Sequence, residues 1–166
     1  MPGRRTRPFR PFLLALMLAA TLAGCAGSSG QPSAGTTAAS GVKVTVAAKS
    51  LPAVGQVLVT SGGYVLYMFQ PDNRRTVTCS AVCAGTWPPL KLPAGATVAA
   101  GPGVKQSLLG SDPDPSGGRV VTYNGWPLYT YTGDVQPGQA TGQAIDLNGG
   151  EWYVLRPSGS PLVSLP

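Results

Sequence analysis

The 166-residue chain contains no histidine. That excludes the Ser-His-Asp and Cys-His devices of nucleophilic catalysis and removes the commonest metal ligand. Charge is scarce as well: 12 Lys and Arg and 6 Asp and Glu make up 11% of the residues. Four of the cations, Arg4, Arg5, Arg7 and Arg10, crowd the first ten positions. Without residues 1–24 the chain holds eight basic and six acidic residues, so its basic balance nearly disappears. Arg74-Arg75 is then the one adjacent basic pair, and no clustered basic face supports nucleic-acid binding. No apolar run reaches the roughly 20 residues that a helix needs to cross hydrocarbon. No Gly-rich phosphate loop leads from a strand into a helix. Asp72, Asp134, Asp146 and Glu151 show no spacing that would pair two of them for glycoside hydrolysis. Long helical patterns are missing, while 23 Gly and 17 Pro punctuate the chain, which favours a turn-rich β domain. These absences point away from an enzyme, and no cofactor is expected.

What is present begins with an address. The arginine-rich start is followed by an apolar stretch from Pro11 to Ala23, the length of a secretory h-region rather than a membrane span. It closes on Leu22-Ala23-Gly24-Cys25. That segment resembles the lipobox of bacterial lipoproteins, which implies cleavage before Cys25 and a diacylglyceryl thioether on its sulfur. Two or more acyl chains hold a protein stably at a membrane. Residues 1–24 are therefore expected to be a signal peptide. Residues 25–41 are expected to be a lipidated cysteine with a Gly, Ser, Ala and Thr-rich tether too poor in apolar surface to fold. The expected location is the extracytoplasmic face of a cell membrane, or an outer membrane if the cell has one.

Residues 42–166 suit one domain with its own core. They carry an internal duplication. Gln56–Asp72 and Gly118–Asp134 align without a gap at a shift of 62 residues. Identical pairs are Val59/Val121, Thr60/Thr122, Gly63/Gly125, Leu66/Leu128, Tyr67/Tyr129 and Asp72/Asp134. The tails match if the second copy carries three extra residues, which sets Trp87 against Trp152. The copies run from about 56 to 92 and from about 118 to 157.

Each copy predicts a hairpin. Val57–Thr60 and Val120–Tyr123 are the leading strands, Ser61-Gly62-Gly63 and Asn124-Gly125 the turns, and Tyr64–Phe69 and Trp126–Tyr131 the return strands. Period two sets Tyr67 and Phe69 on one face and Leu66 and Met68 on the other. Both faces are apolar, so the strand should be covered on both sides, as in a sandwich or barrel-like domain. Pro127 cannot donate to a ladder and marks an edge. Further strands are expected at Val42–Ala48 and Trp152–Leu155, and a short helical turn at Ser107–Gly110.

The pattern Tyr-x-aromatic-x-x-Asp occurs at Tyr67, Phe69 and Asp72 and again at Tyr129, Tyr131 and Asp134. Together with Cys79-x-x-x-Cys83, Trp87-Pro88-Pro89-Leu90 and Asn124-Gly125-Trp126-Pro127, it resembles the predicted bacterial lipoproteins built on a secreted repeat of unknown function. The resemblance implies a location and a motif but no established activity.

Several residues could carry chemistry. Asp72 and Asp134 could bind a cation or ligand, or could simply accept turn hydrogen bonds from backbone two or three residues on. Tyr67, Phe69, Tyr129 and Tyr131 could form an aromatic platform or pack a core, and Trp87 and Trp152 read as packing anchors. Cys79 and Cys83 form an even pair once Cys25 is consumed by lipid, and exported cysteines persist as disulfides. A redox-active dithiol would lack the usual two-residue spacing, and a cuprous site would need Met68 beside both thiols.

The expectation is an all-β protein of two pseudo-repeated halves, anchored through Cys25, serving as a non-enzymatic envelope binding or structural module. Its partners would be the membrane and an unidentified envelope ligand or protein. The alternative is a redox or electron-transfer accessory that uses the Cys79/Cys83 pair or the aromatic cluster.

Overall fold

The computed structural model describes residues 41–74 and 76–164. The expected signal peptide, Cys25 and most of the tether lie outside the described residues. Ten strands occur in chain order: β1 Lys43–Leu51, β2 Gly55–Thr60, β3 Tyr67–Phe69, β4 Lys91–Leu92, β5 Thr97–Ala100, β6 Leu109–Pro113, β7 Arg119–Tyr123, β8 Trp126–Pro127, β9 Ile145–Asp146 and β10 Glu151–Val154. One short helix, α1, spans Val82–Thr86, and 3-10 turns span Gln70–Asp72 and Gln106–Leu108, the second overlapping the expected helical turn. The domain is all-β and is built from several small sheets, so the barrel option does not hold. The sheets run β2-β1-β5, β3-β10-β9 and β4-β7-β6, with β8 added to β7. β1 pairs antiparallel with β2 and parallel with β5.

The two hairpins explain themselves locally. Asn124 (φ 50) and Gly125 (φ 82) both adopt the left-handed region, which a tight two-residue turn between right-twisted strands requires. Trp126 then pairs with Tyr123. In the first copy Thr60 N–H donates to Tyr64 O at 2.8 Å, leaving three residues, Ser61–Gly63, in the turn. The extra residue shifts the register. Leu66 N–H donates to Leu58 O, whereas Leu128 N–H donates to Val121 O, both at 2.9 Å. Leu58 therefore corresponds to Val121, and the ungapped match of Val59 with Val121 and Thr60 with Thr122 does not survive in space. Those two identities arise from a sequence shift that the longer first turn interrupts.

The tails are exchanged. β3, from the first copy, pairs with β10, from the second: Trp152 opposite Phe69 and Val154 opposite Tyr67. The second hairpin is completed by the first copy's tail. Pro89 bridges to Tyr129, Leu90 N–H donates to Leu128 O at 2.8 Å, and Thr130 N–H donates to Pro88 O at 2.9 Å. Pro88 and Pro89 accept but cannot donate, so this tail forms isolated bridges where its counterpart forms a strand. At the centre Tyr67 and Tyr129 pair with each other, N–H to O at 2.8 and 3.0 Å in the two directions. A pseudo-twofold axis passes between them.

Two cores flank β3, as its two apolar faces require. Tyr67 and Phe69 join Val57, Trp87, Tyr129 and Trp152 on one side. Leu66 and Met68 join Leu58, Val121, Leu128 and Leu155 on the other. Pro127 sits in the two-residue β8, which pairs with β7 alone.

Candidate functional site

Tyrosine is amphipathic, so a buried tyrosine needs a partner for its hydroxyl. Here each copy supplies the other's partner. Tyr67 Oη donates to Asp134 Oδ2 at 2.6 Å, and Tyr129 Oη donates to Asp72 Oδ2 at 2.7 Å. The second carboxylate oxygen is satisfied from within its own copy. Thr78 donates both its backbone N–H, at 2.8 Å, and its hydroxyl, at 2.6 Å, to Asp72 Oδ1. Thr141 does the same for Asp134 Oδ1, again at 2.8 and 2.6 Å. Gly142 N–H adds a donor to the Tyr67 oxygen at 3.2 Å.

The carboxylates are buried, Asp72 at 0% and Asp134 at 4% exposure. No cation pairs with either; the one ion pair among the described residues joins Lys91 to Asp114. Every contact to each carboxylate is a donor, which suits the ionised form. Burial nevertheless raises Asp72 above the ordinary carboxylate value, against the pull of the Thr78 and Tyr129 hydrogen bonds. Burial also pushes Tyr67 and Tyr129 far above the ordinary phenol value, helped by the carboxylate each one faces.

The indoles sit beside this network. Phe69, Trp152, Trp87 and Tyr131 form a four-ring column with successive centroid distances of 4.2, 4.0 and 4.2 Å. The central indoles are parallel within 1°, and each end ring comes from the copy opposite to the indole that it stacks on. Tyr67 meets Trp87 edge-on at 5.4 Å and Tyr129 meets Trp152 edge-on at 5.2 Å. Offset and edge contacts of this kind are worth about 0.5–1.5 kcal/mol each beyond the area they bury. The two indoles differ in their ring nitrogens. Trp152 Nε1 donates to Leu147 O at 3.0 Å, while Trp87 Nε1 is buried without a partner. In the first copy the disulfide-closed α1 region stands where the Leu147 loop stands in the second.

The structure thus brings Tyr67, Phe69, Asp72, Trp87, Tyr129, Tyr131, Asp134 and Trp152 into one interlocked cluster. Tyr131 alone is half-buried; the others are inaccessible. They present no platform to solvent. Asp72 and Asp134 do not act as the simple turn acceptors considered from sequence, because their partners lie six and seven residues on and in the other copy. Cys79 and Cys83 are joined as a disulfide, with Cα atoms 5.2 Å apart. Met68 packs in the opposite core from both cysteines, so the structure does not assemble the three-ligand copper arrangement. Among the described residues no group of three or more His, Cys, Asp or Glu could hold a metal. Asp114 belongs to a turn, bonded to Ser116 N–H and to Lys91.

Thr78 and Thr141 were not singled out from sequence. Their signal is weak, because the loop that separates each from its aspartate differs by one residue between the copies.

Compared with known proteins, the chain matches the model of a family described as a secreted repeat of unknown function, twice, over residues 51–91 and 112–156. The two matched segments coincide with the two structural copies. No curated protein and no solved structure matches.

Proposed function

For a chain that belongs to the family of secreted repeats of unknown function, we propose the role of a lipid-anchored, non-enzymatic envelope module. Cys25 carries the lipid, residues 26–41 tether the domain, and the β domain works outside the cytoplasm. Family membership is consistent with an extracytoplasmic module, and among the described residues no helix is long and apolar enough to cross a membrane. The observation that carries the reading is the fate of the repeated motif. Tyr67, Asp72, Tyr129 and Asp134 spend their polar atoms on one another and on Thr78 and Thr141, beneath the surface. Groups so engaged hold the two copies together; a group that meets substrate must be reachable by it. The motif is architectural, and contact with a partner falls to the outer surface.

The test is mass spectrometry of the full chain expressed in a bacterium that processes lipoproteins. The expected product begins at Cys25 with an acylated thioether, and Cys25→Ser leaves the membrane fraction. An uncleaved, unacylated product that stays soluble overturns the anchor.

A further inference from the structure

Two surface depressions meet at Asn73. One, of about 510 Å³, is lined by Asn73, Arg74, Ser107, Leu108, Asn124 and Gly125. The other, of about 290 Å³, includes Asn73 together with Trp126, Glu151 and Tyr153. Trp126 follows Gly125 directly, so the two depressions adjoin along one face of the domain, called the groove below. The larger falls within the range of small-ligand sites, roughly 300–1,000 Å³. The composition is specific. Two half-buried aromatics rest on the core, amides and a guanidinium stand at one end, and a carboxylate stands at the other. Glu151 lies beside the Tyr153 hydroxyl.

In both copies the loop after the aspartate lies on the hairpin turn, Arg74 against Gly125 and Pro137 against Gly63, but the side chains it presents differ. At the related place in the other copy, Asn73 is replaced by Val135 and Arg74 by Gln136. There Pro137 lies over the Gly63 turn, and Gly138 N–H closes onto Gly63 O at 3.0 Å. In the groove, Asn73 (φ 49) and Arg74 (φ 59) both hold left-handed backbone, which costs a bulky residue such as arginine about 1 kcal/mol or more. Arg74 Nε donates to Asn124 O at 2.8 Å, which ties the guanidinium to the hairpin turn at the edge of the groove.

We propose that this groove binds an oligosaccharide carrying carboxylate and acylamino groups. Sugar rings present C–H faces that pack on aromatic rings left partly open to solvent, here Trp126 and Tyr153. Their hydroxyl and acylamino groups need donors and acceptors at the rim, here Asn73 and Glu151. Arg74 takes the carboxylate, for which a planar guanidinium is suited. The proposal rests on the envelope role given above and names the class of ligand for it.

Trp126 makes the test direct. Trp87 and Trp152 are wholly buried and stacked on each other, so a ligand-dependent change in tryptophan emission or acrylamide quenching reports Trp126. The full chain in mild detergent is titrated with two probes: a tetrasaccharide of alternating N-acetylglucosamine and N-acetylmuramic acid, and the N-acetylglucosamine tetramer, which lacks the carboxylates. The expected result is a saturable change with both, tighter for the acidic probe. Arg74→Gln should weaken the acidic probe about tenfold and leave the neutral probe unchanged. Trp126→Ala should abolish binding of both probes, read by isothermal titration calorimetry because that variant lacks the reporting indole; if it does not fold, Glu151→Ala should weaken both. No saturable change with either probe at about 1 mM overturns the proposal. Binding that ignores Arg74→Gln and Glu151→Ala places the ligand elsewhere and also overturns it, while leaving the envelope role intact. A chain that binds the probes but is never acylated fails the envelope anchor and keeps the groove.

Discussion

Tyr129→Phe removes one hydroxyl and almost no volume. Its hydroxyl is one of three donors to Asp72, a carboxylate at 0% exposure with no cation beside it. A hydrogen bond to a buried charged group contributes about 1.5–3 kcal/mol. Losing it should therefore cost about 2 kcal/mol, or about 8 °C in Tm for a domain of this size. The informative step is the double-mutant cycle. Tyr129 reaches across to the Asp72 of the other copy, and Tyr67 reaches across to Asp134. Tyr129→Phe combined with Asp72→Asn should show a coupling energy of about 1–2 kcal/mol. Tyr67→Phe combined with Asp72→Asn, a pair that lies in one copy and shares no hydrogen bond, should be additive within about 0.5 kcal/mol. Equilibrium urea unfolding followed by circular dichroism measures both, with an unchanged slope as the control for two-state behaviour. Stronger coupling within a copy than between copies would refute the crossed arrangement.

The tyrosines also set the alkaline limit. Tyr67 and Tyr129 have folded pKa values raised above the unfolded value of about 10, so the stability they confer is full below pH 10 and is lost as pH rises beyond it. Absorbance at 295 nm should show Tyr67 and Tyr129 ionising only together with unfolding, with Tyr67→Phe and Tyr129→Phe each removing one phenol from that step; ionisation of both in the native state is the opposite outcome. A Cβ at Gly142 would lie 2.7 Å from Trp87 Cη2, so Gly142→Ala should destabilise by about 1–3 kcal/mol through overpacking, measured by thermal melts. An unchanged Tm would contradict the placement of that indole. Reducing the Cys79–Cys83 bridge, whose cysteines are four residues apart, should cost about 2 kcal/mol by the chain-entropy estimate. Thiol titration of the denatured, unreduced protein should accordingly find neither Cys79 nor Cys83 free.

Much of this architecture is legible in the sequence. Period two on Tyr67 and Phe69 against Leu66 and Met68 correctly assigns two faces to β3, and the Asn124-Gly125 turn follows from backbone sterics alone. The duplication is visible because the packing residues repeat. What stays hidden is long-range. Nothing local in Tyr67 or Asp72 says that the partner of each lies in the other copy, because a hydrogen bond across the pseudo-axis leaves no spacing in the chain. The same holds for the exchange of tails between Trp87–Leu90 and Trp152–Leu155. The register slip was masked by the chance identities Val59/Val121 and Thr60/Thr122. Trp126 and Tyr153 stand outside the repeated Tyr-x-aromatic-x-x-Asp pattern, whose aromatics are core.

If the copies complete one another, neither can open alone. Native-state hydrogen exchange reads this through the paired amides: Tyr67 and Tyr129 at the centre, Leu90 and Leu155 in the exchanged tails. All four should exchange with one common free energy, equal to that of global unfolding. Amides of one copy exchanging at a clearly lower free energy than those of the other would show two independent halves and contradict the interlock.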